Sequence, residues 1–130
     1  MRSLLTELSA DASPSRDASR ALRDDVLGNL EALCRTRRGS SLVSPGFGMV
    51  DVLGVFRSSD RGAEHVRKAL EDAVRAFEPR LHRPRVQQLP SEDSDLTLRF
   101  EITGEIVVGG RSTPVRFETT YDAAVTATVR

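Results

Sequence analysis

Apolar side chains recur at the three- and four-residue spacing of an amphipathic helix in two stretches of the chain. The first stretch begins at Ser19 and runs to about Arg38, and its apolar members are Leu22, Val26, Leu30 and Leu33. The second begins near Asp60 and ends before Pro79, with the apolar members Val66, Leu70, Ala73, Val74 and Phe77. Ser19 and Asp60 suit the N-cap position, because their side-chain oxygens can accept hydrogen bonds from the free N–H groups of a first turn. The pattern predicts two helices, each with one apolar face to bury.

After Pro79 the period of the pattern changes from that of a helix to that of a strand. Apolar and polar residues alternate over residues 96–108 and again over residues 115–121, and Gly109-Gly110 between them suits a tight hairpin turn. Residues 86–89 can supply a third strand. The sequence therefore predicts an α+β fold, in which two amphipathic helices pack on an antiparallel sheet of three or slightly more strands.

The 130 residues accommodate one domain of this kind. Residues 1–18 are rich in Ser, Ala and Asp and are interpreted as a flexible N-terminal arm, which leaves residues 19–130 as a single domain. Residues 39–58 alternate Gly and Pro with apolar anchors, and this predicts an ordered, packed loop. Residues 122–130 are strand-prone, and they can extend the last strand or offer an edge to a partner.

Charge and cysteine content narrow the function classes. The chain has 19 basic and 19 acidic residues, and this balance disfavours a dedicated nucleic-acid-binding or membrane-surface protein. Cys34 is the single cysteine and lies in the first apolar stripe, so we expect a buried structural thiol and no disulfide. No stretch approaches the roughly 20 apolar residues of a membrane span. We expect a cytoplasmic protein without metal or cofactor, associated with a membrane only through an assembled machine.

Residues suited to catalysis are few. Neither histidine has a serine or cysteine nucleophile nearby in the sequence. A glycosidase would need two carboxylates about 5 to 9.5 Å apart, and Glu78 could be combined with one of three other acids, Asp51, Glu101 or Glu118. Glu78 also lies two residues from Arg80, so an ion-paired turn explains it more simply. We therefore expect no enzymatic activity.

Two short blocks and a strand form a further pattern. The first block is Thr36-Arg37-Arg38-Gly39-Ser40, followed by Leu42, Pro45, Phe47-Gly48 and Asp51, and the second is Phe77-Glu78-Pro79-Arg80-Leu81. The alternating strand then leads through Gly104 to Val115-Arg116-Phe117. Over about residues 20–121 this order resembles the TssE family, the type VI secretion baseplate subunits akin to the phage baseplate wedge protein that initiates the sheath. The family was once labelled lysozyme-like.

The resemblance implies a structural role without catalysis. It implies a baseplate component that links the wedge subunits TssF and TssG, with TssK as a further candidate, to the sheath subunits TssB and TssC, and that helps to initiate sheath assembly by strand exchange. It gives docking onto the wedge to Glu78, Pro79 and Arg80, although Arg80 can instead tie the turn to its own chain. A secondary interaction or structural motif comprises Arg37, Arg38, Gly39, Gly48 and Asp51. The alternatives are a muramidase-like hydrolase and a small regulatory binding protein that reuses the fold, and the machine can also be a phage tail or another contractile injection device.

Overall fold

The computed structural model of the chain describes residues 4–40, 42, 44–90, 97–122 and 125–129. The helices are α1 (Leu4–Arg35), α2 (Val52–Arg57) and α3 (Gly62–Phe77), and the strands are β1 (His82–Leu89), β2 (Thr97–Val108), β3 (Arg111–Asp122) and β4 (Val125–Val129). Each strand pairs antiparallel with the next, so the sheet order is β1-β2-β3-β4. This arrangement confirms the α+β fold, and the strand-prone tail supplies the fourth strand.

The core lies between the helices and one face of the sheet. The apolar stripes of α1 and α3 are buried against the alternate residues of β2 and β3 that share a face, among them Phe100, Ile102 and Phe117. Fully burying an aliphatic or aromatic side chain of this size contributes roughly 1.5–3 kcal/mol. The buried apolar side chains of the two helices therefore hold the helix layer on the sheet. The other face of the sheet carries charged side chains.

The helix bounds differ from the sequence prediction at several places. Helix α1 begins at Leu4, so Ser19 lies inside the helix, and it ends at Arg35. The predicted division after residue 18 falls within this helix, and flexibility of residues 1–18 stays a prediction. Helix α3 begins at Gly62 after Arg61, which makes no side-chain capping bond, so Asp60 is not its N-cap. None of the described helices has the length and apolar character needed to cross a membrane.

The packed loop predicted over residues 39–58 contains the short helix α2. Helix α2 packs closely on α3, because a Cβ at Gly62 would lie 2.0 Å from the carbonyl oxygen of Phe56. Only glycine allows this approach. Met49 and Val52 are buried and anchor the segment to the core.

Glycine also permits the tight turn between β2 and β3. Gly109 and Gly110 both have positive φ, at 57° and 76°, as a two-residue hairpin turn of the primed type requires. The edge strand β1 begins at His82, four residues before the strand predicted from the sequence. The register there is irregular between His82 and Arg85, and Arg83 adopts a positive φ of 53°.

Candidate functional site

The turn at Glu78, Pro79 and Arg80 follows directly from the end of α3. Proline disfavours a helical conformation at the residue before it, so α3 ends at Phe77 and Glu78 takes φ −130° and ψ 75°. The Glu78 N–H donates to the carbonyl of Val74 at 2.8 Å, and the Leu81 N–H donates to the carbonyl of Glu78 at 3.3 Å. Main-chain hydrogen bonds thus fix the turn on both sides.

The Glu78 carboxylate points inward and is completely buried. Arg80 grips it with two parallel bonds, Nη2 to Oε1 at 2.8 Å and Nε to Oε2 at 3.1 Å, and the Arg80 N–H adds a third bond to Oε2 at 3.1 Å. Asn29 of α1 donates to Oε1 at 3.1 Å and to the carbonyl of Phe77 at 3.0 Å. A buried carboxylate is tolerated only with such partners, since an uncompensated charge in the interior is costly. Arg80 therefore has an internal role, and Glu78 offers no surface to a partner.

The outer side of the turn is formed by Pro79 and Arg80. Pro79 is exposed, and the Arg80 side chain is 43% exposed even though it pairs with Glu78. The hydrogen bond to Glu78, together with the charges of Glu78 and Asp25, raises the pKa of Arg80. The remaining terminal nitrogen, Nη1, makes no hydrogen bond to any residue that the structure describes. One edge of the guanidinium is thus held by Glu78, while the side chain as a whole stays partly exposed.

The second motif forms a main-chain clamp beside the end of α1. The Arg38 N–H donates to the carbonyl of Met49 at 2.9 Å, and the Met49 N–H donates to the carbonyl of Thr36 at 2.8 Å. Gly48 has φ 119°, and a Cβ there would lie 2.5 Å from the oxygen of Thr36. Another residue would break this contact, so the glycine is structural.

The charged members of the second motif face outward. Arg37 and Arg38 are exposed, and Gly39 closes the clamp by donating its N–H to the carbonyl of Pro45 at 2.8 Å. Asp51 precedes α2 and is exposed, and its side chain makes no capping bond. Arg37 and Asp51 line a small cavity of about 150 Å³ whose wall includes Cys34, Met49 and Tyr121.

An aromatic contact brings the two sequence blocks together. The rings of Phe47, from the clamp, and Phe77, directly before the turn, pack edge to face with their centroids 5.4 Å apart. Asn29 completes the turn from α1, and sequence reasoning missed it. The available signal was its place beside the apolar stripe of that helix, where a polar side chain needs a buried partner.

Cys34 lies in the core, as predicted. Burial raises the pKa of its thiol, although the neighbouring hydroxyls of Tyr121 and Thr119 oppose this shift. Burial also raises the pKa of Tyr121 well above its ordinary value. Among the described residues, no group of three or more metal-binding side chains converges.

Two of the three acids considered with Glu78 for hydrolysis, Glu101 and Glu118, lie on the opposite face of the sheet. Glu78 lies on the helix side of the sheet, whereas Glu101 and Glu118 alternate with the core residues of β2 and β3 and occupy the other face. There they pair with Arg116 and Arg99. The hydrogen bond from Arg99 lowers the pKa of Glu118.

Comparisons with known proteins agree with this architecture. A chain of the type VI secretion system baseplate complex superposes with a TM-score of 0.68 at 20% identity, over 82% of this chain and 97% of that one. A crystal structure from Geobacter sulfurreducens, provisionally named a tail lysozyme, superposes with a TM-score of 0.59 at 17% identity, over 75% of this chain and 88% of that one. No curated protein matches the sequence. The family model of the baseplate wedge protein gp25 matches residues 20–110, a span that includes both sequence blocks and the turn, and the chain therefore belongs to the baseplate wedge protein gp25 family.

Proposed function

We propose that this protein is a structural, non-enzymatic baseplate component of a contractile injection machine of the type VI secretion kind. It links the wedge complex, formed by TssF and TssG with TssK as a further candidate, to the sheath subunits TssB and TssC, and it acts in the cytoplasm. The family match over residues 20–110 carries this proposal, together with the fold shared with a type VI baseplate chain.

The exposed side of the turn supports docking onto the wedge. Pro79 and the partner-facing edge of Arg80 are already held in place, so little side-chain entropy remains to be lost on binding. The free guanidinium donor suits a carboxylate or carbonyl of a partner. Arg37 and Arg38, which the clamp presents in the other sequence block, are secondary contact residues.

We propose that a sheath subunit pairs with the edge strand β4, because side chains of α3 already bind the main chain of the other edge strand, β1. Along β1, the Val86 N–H donates to Glu71 at 3.0 Å, and Arg67 donates to the Val86 carbonyl at 3.1 Å. Arg75 donates to the carbonyl of Pro84 at 3.2 Å, and proline has no N–H. A strand therefore cannot pair with these main-chain groups, whereas β4 is the edge strand at the opposite side of the sheet.

The alternative of a muramidase-like hydrolase receives less support from the geometry. Glu78 is completely buried, and the sheet separates it from Glu101 and Glu118. A glycosidase needs both carboxylates to reach one sugar bond. The other alternative, a regulatory binding protein, can be distinguished from a baseplate component by its partner. Such a protein would bind one soluble protein and neither wedge nor sheath.

Affinity capture tests the proposal with a matched control. Wild type, Arg80→Ala and Asn29→Ala are each co-expressed with TssF and TssG. Both variants weaken the support of Glu78, but only Arg80 has a large exposed side chain at the turn. We expect capture by wild type and Asn29→Ala and loss of capture by Arg80→Ala. Equal loss in both variants would assign the effect to the shape of the turn, and no capture of the wild type would contradict the proposal.

A further inference from the structure

Arginine side chains from two elements converge on a cleft along β1. Arg67 and Arg75 come from α3, and Arg83 and Arg85 come from β1, while Glu71 is the one acidic residue among the described residues that line the cleft. The cleft has a volume of about 790 Å³, and the four arginines and one glutamate of its described lining carry a net charge of +3, while Glu64 pairs with Arg67 from outside that lining. We propose that this cleft binds an acidic peptide segment of a partner protein. The inference rests on the proposed function only in placing that partner in the baseplate.

Outward main-chain groups of β1 are already hydrogen-bonded to side chains of α3, so a bound peptide must be contacted by side chains. Glu71 and Arg67 occupy the N–H and carbonyl of Val86, and Arg75 occupies the carbonyl of Pro84. An incoming segment therefore meets guanidinium groups and not a free strand edge. Such a surface favours a ligand with carboxylates, because a guanidinium binds a carboxylate through two parallel hydrogen bonds.

Arg83 and Arg85 are the cations of the cleft that remain most available. The Arg83 side chain is 86% exposed, and its ion pair with Glu105 is long, at 3.9 Å. Arg85 is exposed and has no ion-pair partner among the residues that the structure describes. Arg83 also holds a φ of 53°, a left-handed conformation that glycine or asparagine adopts more readily. Backbone strain of this kind is typical of ligand clamps, and Arg83 is one of the residues that line the cleft.

An acidic peptide fits this cleft better than a nucleic acid. None of the lining residues that the structure describes is aromatic, so bases would find no stacking platform among them. The whole chain also has no net charge to attract a long phosphate chain. A short peptide with a few carboxylates can pair with the exposed guanidinium groups without stacking.

A binding titration of the isolated full chain tests the inference. The probe is a fluorescein-labelled hexaglutamate peptide, followed by anisotropy at low salt, and backbone amide NMR shifts locate the contact. The double variant Arg83→Asn with Arg85→Gln removes two cleft cations. The control, Arg57→Gln with Arg111→Gln, removes two exposed arginines elsewhere.

We expect saturable binding, with shifts at residues of α3 and β1, that weakens at least about fivefold in the cleft variant and less than about twofold in the control. Binding should also weaken with added salt. Equal loss in both variants, or no shifts at about 10 mM peptide, would overturn the inference. Tighter binding of a short DNA duplex or of phosphatidylglycerol vesicles than of the peptide would do the same. Because the titration uses no other subunit, its failure leaves the capture experiment unaffected.

Discussion

Arg80 lies two residues after Glu78 and binds both oxygens of its buried carboxylate, with Nη2 2.8 Å from Oε1 and Nε 3.1 Å from Oε2. One member of this pair is fully buried and the other is 43% exposed. The turn thus joins an interior charge to a surface donor. Any substitution at Arg80 is therefore expected to change stability, so its effect on the proposed docking must be measured separately.

Replacing Arg80 with alanine is expected to destabilise the isolated protein by about 2 kcal/mol. The change leaves the buried Glu78 carboxylate without its cation, and partial exposure of Arg80 reduces the cost below that of a fully buried pair. Urea unfolding followed by circular dichroism measures the difference. The control is Arg85→Ala, which removes an exposed arginine and should change stability by less than about 0.5 kcal/mol. An Arg80→Ala variant as stable as wild type would remove the internal role of this arginine.

Two glycine-to-alanine changes should have opposite effects. Gly28 lies inside α1, and a Cβ there would have no packing neighbour within 4 Å, so alanine should stabilise by roughly 0.5–1 kcal/mol through helix propensity. At Gly104 of β2 a Cβ would lie 2.7 Å from buried Leu81 and 2.9 Å from the carbonyl of His82, and alanine should destabilise by about 1–3 kcal/mol. Thermal unfolding of both variants beside wild type tests the pair. A stabilised Gly104→Ala variant would mean that β1 and β2 approach less closely.

Sequence reasoning predicted the elements whose signals are local. The apolar stripes gave α1 and α3, and the alternation around Gly109-Gly110 gave the hairpin of β2 and β3. Helix α2 was missed, because Gly54 and the surrounding turn residues mask a six-residue helix that exists by packing on α3. The extension of α1 to Leu4 was missed for a related reason, since Pro14 and a polar composition favour a loop by propensity.

The candidate site was predictable only in part. The spacing of Glu78 and Arg80 allowed either an internal pair or two docking side chains, and spacing alone cannot distinguish these. Burial decides the matter for Glu78, and its carboxylate accepts a hydrogen bond from Asn29 of α1, which lies 49 residues away along the chain. The arginine cleft of β1 was equally hidden, since Arg67 and Arg75 reach it only through the packing of α3.

Glu71 should make the junction of α3 and β1 sensitive to acid. Burial opposes ionisation, but the Val86 N–H and the charges of Arg67 and Arg75 outweigh it and lower the pKa of Glu71. The ionised Glu71 carboxylate therefore stabilises the folded protein fully above the ordinary glutamate pKa, and this stabilisation is lost as pH falls through the lowered value. Glu71→Gln should destabilise at about pH 7 by about 1–2 kcal/mol and much less at about pH 3.

Urea unfolding of wild type and Glu71→Gln at both pH values measures this difference. Asp72→Asn is the matched control, because Asp72 is exposed on the same helix and its ion pair with Lys68 is long, at 3.8 Å. It should give a small difference at both pH values. A constant gap between wild type and Glu71→Gln across the range would contradict the role of the charged carboxylate.

The Cys34 thiol should be protected from modification in the folded protein. The side chain is buried, with 5% of the residue exposed, and burial raises the pKa of its thiol, so the reactive thiolate is disfavoured. Because the folded pKa is raised, the neutral thiol contributes stability below the ordinary cysteine pKa, and this contribution is lost as pH rises through the raised value. Reaction with Ellman's reagent at about pH 8 should be at least about 100-fold slower than in urea, where the unfolded chain exposes its single thiol. Rapid stoichiometric labelling without denaturant would show that the wall of the small cavity beside Arg37 opens readily, and it would contradict a structural thiol.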